Sequence, residues 1–335
     1  MNILEYDYRL PEELIAQNAA MPRDCARLMV LQEEKIIHKR FSDIAGYLRK
    51  GDVLVLNSTK VIRSKLVGKK DSGSSAEIIL TDCLDKGNNI WECHIKARNP
   101  HVGTRILLGK GADATLIRQN SVDRFSVRIS GKFSFDDALL PNPPYIKHDV
   151  TEEEYQTVYA RECRGKGSLA APTAGLHFTK DLLRKIKDKG VKIIFIALHV
   201  GFGTFLPIMD DIEDHKTEGE YFEISKNAAK TINNRKGRLI VVGTTTLKAL
   251  ESSVADGKIM PAKKVSEIFI YPGHEFSSRP DALITNFHLP KSSLLLLTCA
   301  FCGKERIMHS YEEAVEKKYR FYSLGDAMMM YRKNI

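Results

Sequence analysis

Three histidines lie in segments that are rich in glycine, threonine and alanine. His177 is part of SLAAPTAGLHF (168–178), His199 opens HVGFGTF, and His288 is part of TNFHLP. Imidazole titrates near neutral pH and suits proton transfer, while small residues let a backbone approach a ligand closely. The three segments therefore predict an acid–base site, although each histidine taken alone could instead be a structural, hydrogen-bonded group.

Four predicted strands end in loops that carry these and similar residues. VKIIFIAL precedes HVGFGTF, RLIVV precedes Gly243-Thr-Thr, DALI precedes TNFHLP, and VSEIFIY precedes Pro272-Gly-His-Glu275. In an open α/β sheet, ligands bind outside the carboxyl ends of the strands, so we expect the four loops to meet at one edge. The residues predicted to contact a substrate are Pro172, Thr173, Gly175, Phe178, Gly201, Gly203, Thr204, Phe205, Thr244, Thr245, Asn286 and Phe287.

The elements that must position these loops divide into two kinds. The runs LMVL (28–31) and VLVL (53–56) are typical of strands buried on both faces, and strands alternate with helices after about residue 148. Between them, segments such as RFSVRIS (124–130) alternate apolar and polar residues, which indicates a small antiparallel barrel. We therefore predict a larger mixed-sheet α/β domain from 1–62 and 148–335, with a β-barrel domain inserted at 63–147.

Helix signals are local and can be read from capping residues. They predict helices from Thr151 to about Arg161, from Thr179 to Gly190, and from Ser225 to about Gly237. Further helices are predicted over 246–254, after Ser292, and over 310–319.

The charge of the chain indicates an anionic partner. The formal net charge is +9, and the segment 60–70 carries basic residues and no acidic one. Its side chains could contact RNA phosphates, or they could form a solvated basic surface. The phosphate-contact candidates are Lys60, Arg63, Lys65, Lys69 and Lys70.

Other functional classes find little support in the sequence. No apolar run is long enough to span a membrane, and the N-terminal residues lack the pattern of a signal peptide, so we expect a cytoplasmic protein. Cys299 and Cys302 form a C-x-x-C inside an apolar segment without a second pair, which favours buried thiols, and we predict no structural metal.

The motifs together resemble the S-adenosylmethionine:tRNA ribosyltransferase-isomerase family of queuosine biosynthesis. They are YDYRLPEELIAQ, GDVLVLNSTKVI, AAPTAGLHFT, LHVGFGTF, VGTT, FIYPG, TNFHLPKSSLLLL and YRFYSLGDAM, and they cover almost the whole chain. The resemblance implies the same two-domain fold. It also implies S-adenosylmethionine (AdoMet) as a substrate, no other cofactor and no metal, and a tRNA partner. Separately from the resemblance, we expect no membrane partner and a monomer.

The implied reaction moves the ribosyl part of AdoMet onto 7-aminomethyl-7-deazaguanine in the tRNA anticodon. The ribose isomerises, which gives epoxyqueuosine-tRNA, adenine and methionine. His177, His199 and His288 would be the catalytic acid–base groups, with their individual roles left open. Phe178 or Phe205 would stack on a base, Thr244 and Thr245 would hold the methionyl carboxylate, and Asn286 would hydrogen-bond a ribose or base edge.

Three positions depart from the family pattern. Leu206 stands where GTFRP has arginine, Glu218 stands where HxMHSE has its second histidine, and Lys248 stands where VGTTxxRxLE has arginine. A lysine cannot reproduce a bidentate arginine contact. These departures favour an alternative hypothesis, a divergent tRNA-binding relative with altered or lost catalysis. An ordinary AdoMet-dependent methyltransferase is a further alternative, but VLVLNSTK lacks the glycine-rich loop that such enzymes usually have.

Overall fold

The computed structural model describes residues 1–33, 35–121, 124–162, 167–201, 208, 211–215 and 217–332. The strands are β1 (Arg27–Gln32), β2 (Lys35–Arg40), β3 (Val53–Asn57), β4 (Lys65–Lys70), β5 (Ser75–Asp85), β6 (Ile90–Ala97), β7 (Arg105–Gly109), β8 (Ala112–Gln119), β9 (Arg124–Ser130), β10 (Lys192–Leu198), β11 (Glu220–Ile224), β12 (Leu239–Val242), β13 (Val254–Ala255), β14 (Lys258–Ile259), β15 (Ala262–Ser266), β16 (Ala282–Asn286) and β17 (Ala327–Tyr331). The helices are α1 (Ile44–Tyr47), α2 (Glu152–Tyr155), α3 (Lys180–Asp188), α4 (Lys226–Asn233), α5 (Thr244–Ser252), α6 (Ser293–Cys302) and α7 (Lys304–Glu316). Among these helices, none has the length and apolar character that crossing a membrane requires.

The chain forms two compact units. The first comprises Met1–Lys60, Pro143–Lys147 and Glu153–Ile335, and the second comprises Val61–Asn142 and His148–Glu152. A nine-stranded mixed sheet lies in the first unit, and the second contains a closed six-stranded antiparallel barrel. The predicted fold class, an α/β domain with an inserted antiparallel barrel, is therefore confirmed.

The order of the large sheet is β15-β11-β10-β3-β12-β16-β17-β1-β2. Its four central strands, β10, β3, β12 and β16, are mutually parallel. The carboxyl ends of these strands consequently share one edge, and the loops that follow them begin close together.

Apolar runs form the central strands because both faces of the sheet are covered. Val53 and Val55 of β3 belong to one hydrophobic cluster, and Leu54 and Leu56 belong to a second cluster on the opposite face. Successive strand residues point to opposite faces, so a continuous apolar run fits a strand that is buried on both sides.

The barrel has the alternating pattern of a sheet with one buried face. Phe125, Val127 and Ile129 of β9 are buried in its core, whereas Arg128 and Ser130 are exposed. Ser126 departs from the alternation, since it is also buried and lies within hydrogen-bonding distance of the Asn120 side chain.

The capping signals locate the helices well. The hydroxyl of Thr179 accepts a hydrogen bond from the Leu182 amide at 3.1 Å at the start of α3, and Gly190 follows the helix with φ 85°. Ser225 caps α4 in the same way. The last helix begins earlier than predicted, at Lys304 directly after Gly303.

Two predicted elements are wrong. The helix predicted over 151–161 is only the single turn α2. The chain leaves the helix after this turn because it runs to the loop that follows β3, where the Arg161 amide donates a hydrogen bond to the Ser58 carbonyl. The strand predicted over 265–271 ends at Ser266 in β15, which pairs antiparallel with β11 at the edge of the sheet.

Candidate functional site

A cleft lies at the shared edge of the parallel strands in the first unit. It encloses about 720 Å³ of space, open solvent included. Its walls come from the segment 170–174, Val200 after β10, the start of α5, and the segment 285–289 at the end of β16. Three of the four loops predicted to meet therefore reach it. The fourth does not, because β15 does not join the parallel strands and His274 contacts Glu251 instead.

The small residues of SLAAPTAGLHF line one wall of this cleft. Ala170 is bridged to Val200, and a short 3₁₀ turn at Thr173–Gly175 follows Pro172. Pro172 and Thr173, which were predicted to contact the substrate, both line the cleft. Gly175 does not line it: a Cβ there would stand 2.1 Å from the Tyr159 hydroxyl, so this glycine allows close packing inside the protein.

The amino end of α5 forms another wall. Gly243 precedes the helix with φ 90°, a conformation that favours glycine, and Thr244 and Thr245 occupy the first turn. Both threonines are buried and line the cleft. Amide groups in the first turn of a helix have no partner within the helix, so this end suits a carboxylate.

The end of β16 supplies the histidine of the cleft. His288 is buried, and its Nε2 lies 3.1 Å from the Thr285 hydroxyl. Its backbone is fixed as well, since its amide donates to the Tyr311 hydroxyl and the Tyr8 hydroxyl donates to its carbonyl. Burial lowers the pKa of His288 to about 3, so the imidazole is neutral at pH 7.

The other two predicted histidines do not line the cleft. His177 lies behind its wall, with Nε2 3.2 Å from Asn286 Nδ2, and its ring stacks on Phe41. His199 follows β10, with Nδ1 2.9 Å from the Thr59 hydroxyl and its ring parallel to that of Tyr221. The structure therefore brings His288 and Asn286 to the cleft and holds His177 and His199 in contacts next to it.

The aromatic rings at the cleft differ from those predicted. Phe178 is fully buried in the core beneath the sheet, edge to face with Phe41, so it is not available for stacking on a base. Tyr145 and Tyr322 line the cleft instead, with ring centroids 4.0 Å apart. Phe287 also contributes to the wall, although its side chain is buried.

Sequence reasoning missed both tyrosines. Tyr145 belongs to PNPPY, which reads as a linker, and Tyr322 lies in YRFYSLGDAM after the last helix. The aromatic residues of YRFYSLGDAM were a usable signal. A family motif that lies outside every predicted helix and strand indicates a role in the functional site.

Several of the residues predicted to contact the substrate belong to the loop HVGFGTF. Gly203, Thr204, Phe205 and Leu206 lie outside the described residues. Gly201 is described, and its amide donates to Glu220 Oε1 at 3.3 Å rather than lining the cleft.

The predicted phosphate-contact residues are dispersed. Lys60 belongs to the first unit and pairs with Glu162, while Arg63 in the second unit pairs with Glu152. Lys65 is buried, and its Nζ lies 2.6 Å from the carboxylate of the exposed Asp149, so its charge is already paired. Lys70 donates to the Arg98 carbonyl, and Lys69 is exposed on β4. Lys69 and Lys70 are therefore the members of this set that best fit an RNA contact.

One of the residues that depart from the family pattern, Lys248, forms an ion pair. Lys248 on α5 contacts Glu220 of β11, with Nζ 2.6 Å from Oε2, and both side chains are largely buried. Glu220 is the last residue of the motif that Glu218 alters, so the lysine keeps an ion pair with the retained carboxylate.

Metal-ligand side chains do not cluster in the described ranges: no group of three or more His, Cys, Asp or Glu residues could hold an ion there. Cys299 and Cys302 are buried in the core as reduced thiols, as their apolar surroundings predicted.

The family model, the similar sequences and the similar solved structure all indicate the same protein family. The family model described as queuosine biosynthesis protein matches residues 3–330. S-adenosylmethionine:tRNA ribosyltransferase-isomerases from Geotalea uraniireducens and Thermotoga petrophila are 45% and 43% identical, over 99% and 98% of this chain and 100% of each relative. The crystal structure of S-adenosylmethionine tRNA ribosyltransferase from Thermotoga maritima is similar, with a TM-score of 0.55 and 34% identity over 97% of this chain and 99% of that one.

The fold and these relatives define the class of the protein as a transferase enzyme. More particularly, the chain belongs to the queuosine biosynthesis protein family, as an S-adenosylmethionine:tRNA ribosyltransferase-isomerase that takes part in tRNA modification.

Proposed function

We propose that the cleft binds AdoMet and that the enzyme transfers and isomerises its ribosyl moiety onto 7-aminomethyl-7-deazaguanine in the tRNA anticodon. The products are epoxyqueuosine-tRNA, adenine and methionine. The observation that carries this proposal is the cleft itself, which joins His288, Asn286 and the start of α5 in a chain of the ribosyltransferase family. We further propose that AdoMet and tRNA are the only reactants, that no other cofactor takes part, and that the reaction takes place in the cytoplasm.

The amino end of α5 would hold the methionyl part of AdoMet. Thr244 and Thr245 form the first turn of α5 and line the cleft, so their amides and hydroxyls would supply the hydrogen-bond donors for an anionic group. The carboxylate of the methionyl group is the anionic end of the substrate. Binding it here leaves the sulfonium and ribose for the part of the cleft near β16.

His288 would be the base of the first chemical step. The sulfonium acidifies the adjacent 5′ carbon, and a base must remove a proton from it. The neutral imidazole keeps a lone pair that can accept that proton and does not repel the cationic sulfonium, and substrate binding would have to offset the burial that makes the imidazolium costly. His199 remains a predicted acid–base group, placed next to the cleft by Thr59 and Tyr221.

The tRNA would be held through its phosphates, with the exposed Lys69 and the neighbouring Lys70 as contacts on the barrel unit. This part of the proposal rests on charge and exposure.

The aminomethyl nitrogen of the tRNA base must be neutral to attack as a nucleophile.

The test is incubation with AdoMet and tRNA that carries 7-aminomethyl-7-deazaguanine, followed by analysis of products and tRNA nucleosides by mass spectrometry. We expect equal amounts of adenine, methionine and epoxyqueuosine, and none with tRNA that lacks the aminomethyl base. S-adenosylhomocysteine among the products would identify a methyltransferase, and tRNA binding without adenine release would identify a relative that has lost catalysis.

The variant His288→Asn should lower turnover by about 10²–10⁴-fold, because it removes the proposed base. His309→Asn is the matched control, since His309 is an exposed histidine of α7 outside the cleft. Adenine release measured at saturating AdoMet gives the comparison. Equal turnover in the two variants would remove His288 from the mechanism.

A further inference from the structure

The side-chain amide of Asn286 has a fixed orientation. Nδ2 lies 3.1 Å from the Tyr322 carbonyl, 3.5 Å from the Asp326 carbonyl and 3.2 Å from His177 Nε2. Carbonyl oxygens can only accept hydrogen bonds, so the nitrogen must occupy this side of the amide. The oxygen therefore occupies the other side of the amide, and Asn286 is one of the residues that line the cleft.

Within the part of the chain that the structure describes, the oxygen of this amide has no hydrogen-bond donor. Asn286 is 2% exposed, and Oδ1 is buried without a partner among the described residues. Nearly all buried polar groups in proteins are hydrogen-bonded, and an unpaired one costs free energy. An acceptor of this kind in the wall of a cleft fits a ligand that brings an N–H or O–H donor.

His177 holds the amide from behind. Its imidazole is buried and stacks on Phe41 with ring centroids 4.8 Å apart. Burial, with Arg320 and Arg23 in support, lowers its pKa to about 3, so the ring is neutral and its Nε2 lone pair can accept from Asn286 Nδ2. A protonated ring would present an N–H to that amide nitrogen and disturb its orientation.

Tyr322 adds an aromatic surface under backbone strain. Its φ is 76°, a left-handed conformation that is rare for a bulky residue. Hydrogen bonds fix it there, from its amide to the Phe287 carbonyl and from Asn286 to its own carbonyl. Strained residues concentrate at functional sites, and this one lines the cleft beside Tyr145.

We propose that Asn286 and Tyr322 recognise a flat, purine-like heterocycle that carries an exocyclic amino group, with His177 as a positioning residue. The heterocycle lies against the tyrosine ring, and its amino group donates to Asn286 Oδ1. The inference rests on the proposed function, in which two such heterocycles take part, the adenine of AdoMet and the deazaguanine of the tRNA. The oxygen is buried, so the proposal requires the cleft wall to move slightly to admit the donor.

An obligate acceptor discriminates between an amino group and a carbonyl at the same place. A carbonyl oxygen on the ligand would face Oδ1 without a hydrogen between them, and both acceptors would stay unpaired. The first arm of the test is therefore binding of AdoMet and of its 6-oxo (inosine) analogue by the native protein, measured by calorimetry without tRNA. We expect AdoMet to bind about tenfold more tightly or better, which corresponds to about 1.4 kcal/mol.

The second arm uses tRNA with the aminomethyl base and tRNA in which that base lacks its 2-amino group. If adenine is the ligand, Asn286→Ala abolishes the preference for AdoMet over its analogue and leaves binding of both tRNAs unchanged. If the deazaguanine is the ligand, the variant abolishes the tRNA preference only. Absence of both preferences in the native protein would overturn the proposal, and this result needs no variant that could misfold.

Variants of His177 separate positioning from catalysis. His177→Phe keeps the stacked ring but removes the acceptor, so we expect a smaller base preference and a raised KM, with kcat at saturation within a few-fold. His177→Gln restores an acceptor and should recover part of the preference. A fall of about 10²–10⁴-fold in kcat with the preference intact would instead show that His177 is an acid–base catalyst. Native enzyme that releases adenine while all these preferences are absent would refute only this inference.

Discussion

At the scale of single residues, the chemistry of the cleft depends on which nitrogen of His288 carries the proton. Nε2 lies 3.1 Å from the Thr285 hydroxyl. If the hydroxyl accepts from Nε2–H, Nδ1 keeps the lone pair that a base needs, because the partner of one ring nitrogen sets the state of the other. In that arrangement Thr285 would select the tautomer, and both residues line the same cleft.

Thr285→Val keeps the shape of the side chain and removes the hydroxyl. We expect kcat to fall by about tenfold, with KM for AdoMet unchanged, because tautomer selection affects the proton transfer and not ground-state binding. Thr231→Val in α4 is the control, since Thr231 is partly exposed and outside the cleft. An unchanged kcat would show that Thr285 does not act through His288.

At the scale of secondary structure, the ion pair of Lys248 and Glu220 joins α5 to the sheet. Glu220 begins β11, and its other oxygen accepts from the Gly201 amide after β10. The pair therefore links the helix that borders the cleft to the loop that carries HVGFGTF. Lysine maintains this link where the family pattern has arginine.

Lys248→Ala should lower the free energy of unfolding by about 3–5 kcal/mol, because it removes the ammonium group that contacts a buried carboxylate. Lys248→Arg should stay near the native value. The control is Lys263→Ala, which breaks the exposed pair of β15 with Glu223 on the same β11 strand and should cost at most about 1 kcal/mol. Urea unfolding measures all three, and similar losses in Lys248→Ala and Lys263→Ala would contradict the account.

The elements differ in how far the sequence predicts them. Thr179 and Ser225 cap their helices through contacts within one turn. The apolar run VLVL likewise reflects burial of β3 on both faces of the sheet. Both signals are local in sequence and suffice to predict these elements. The strand predicted over 265–271 fails because the antiparallel pairing with β11 extends only from Ala262 to Ser266.

The site was predictable to the extent that it follows the strand ends. His288, Asn286, Thr244 and Thr245 come directly after or at the end of parallel strands, so topology alone brings them together. Tyr322 reaches the cleft through hydrogen bonds to Phe287 and Asn286, which are distant in sequence. The side on which His177 lies likewise depends on packing against Phe41, which the sequence does not show.

At the scale of the whole molecule, two buried neutral histidines make stability depend on pH. The pKa values of His177 and His288 are lowered to about 3, whereas an unfolded chain has histidine pKa values near 6.5. Between these values the unfolded state binds more protons than the folded state. The free energy of unfolding therefore falls as pH drops below about 6.5.

We expect urea unfolding at pH 5 to show a loss of up to about 2 kcal/mol for each histidine relative to pH 7.5. The loss should be smaller in His288→Asn, which removes one of the two groups, and unchanged in His309→Asn. Equal stability of the native protein at both pH values would mean that the two imidazoles are not held neutral by burial.

The central claim is that segments far apart in sequence converge on one cleft that holds AdoMet. A crystal structure of the protein with AdoMet bound tests this most directly. The account predicts the methionyl carboxylate at the amides of Thr244 and Thr245 and the 5′ carbon within reach of His288. AdoMet bound at another surface, with this cleft empty, would contradict it.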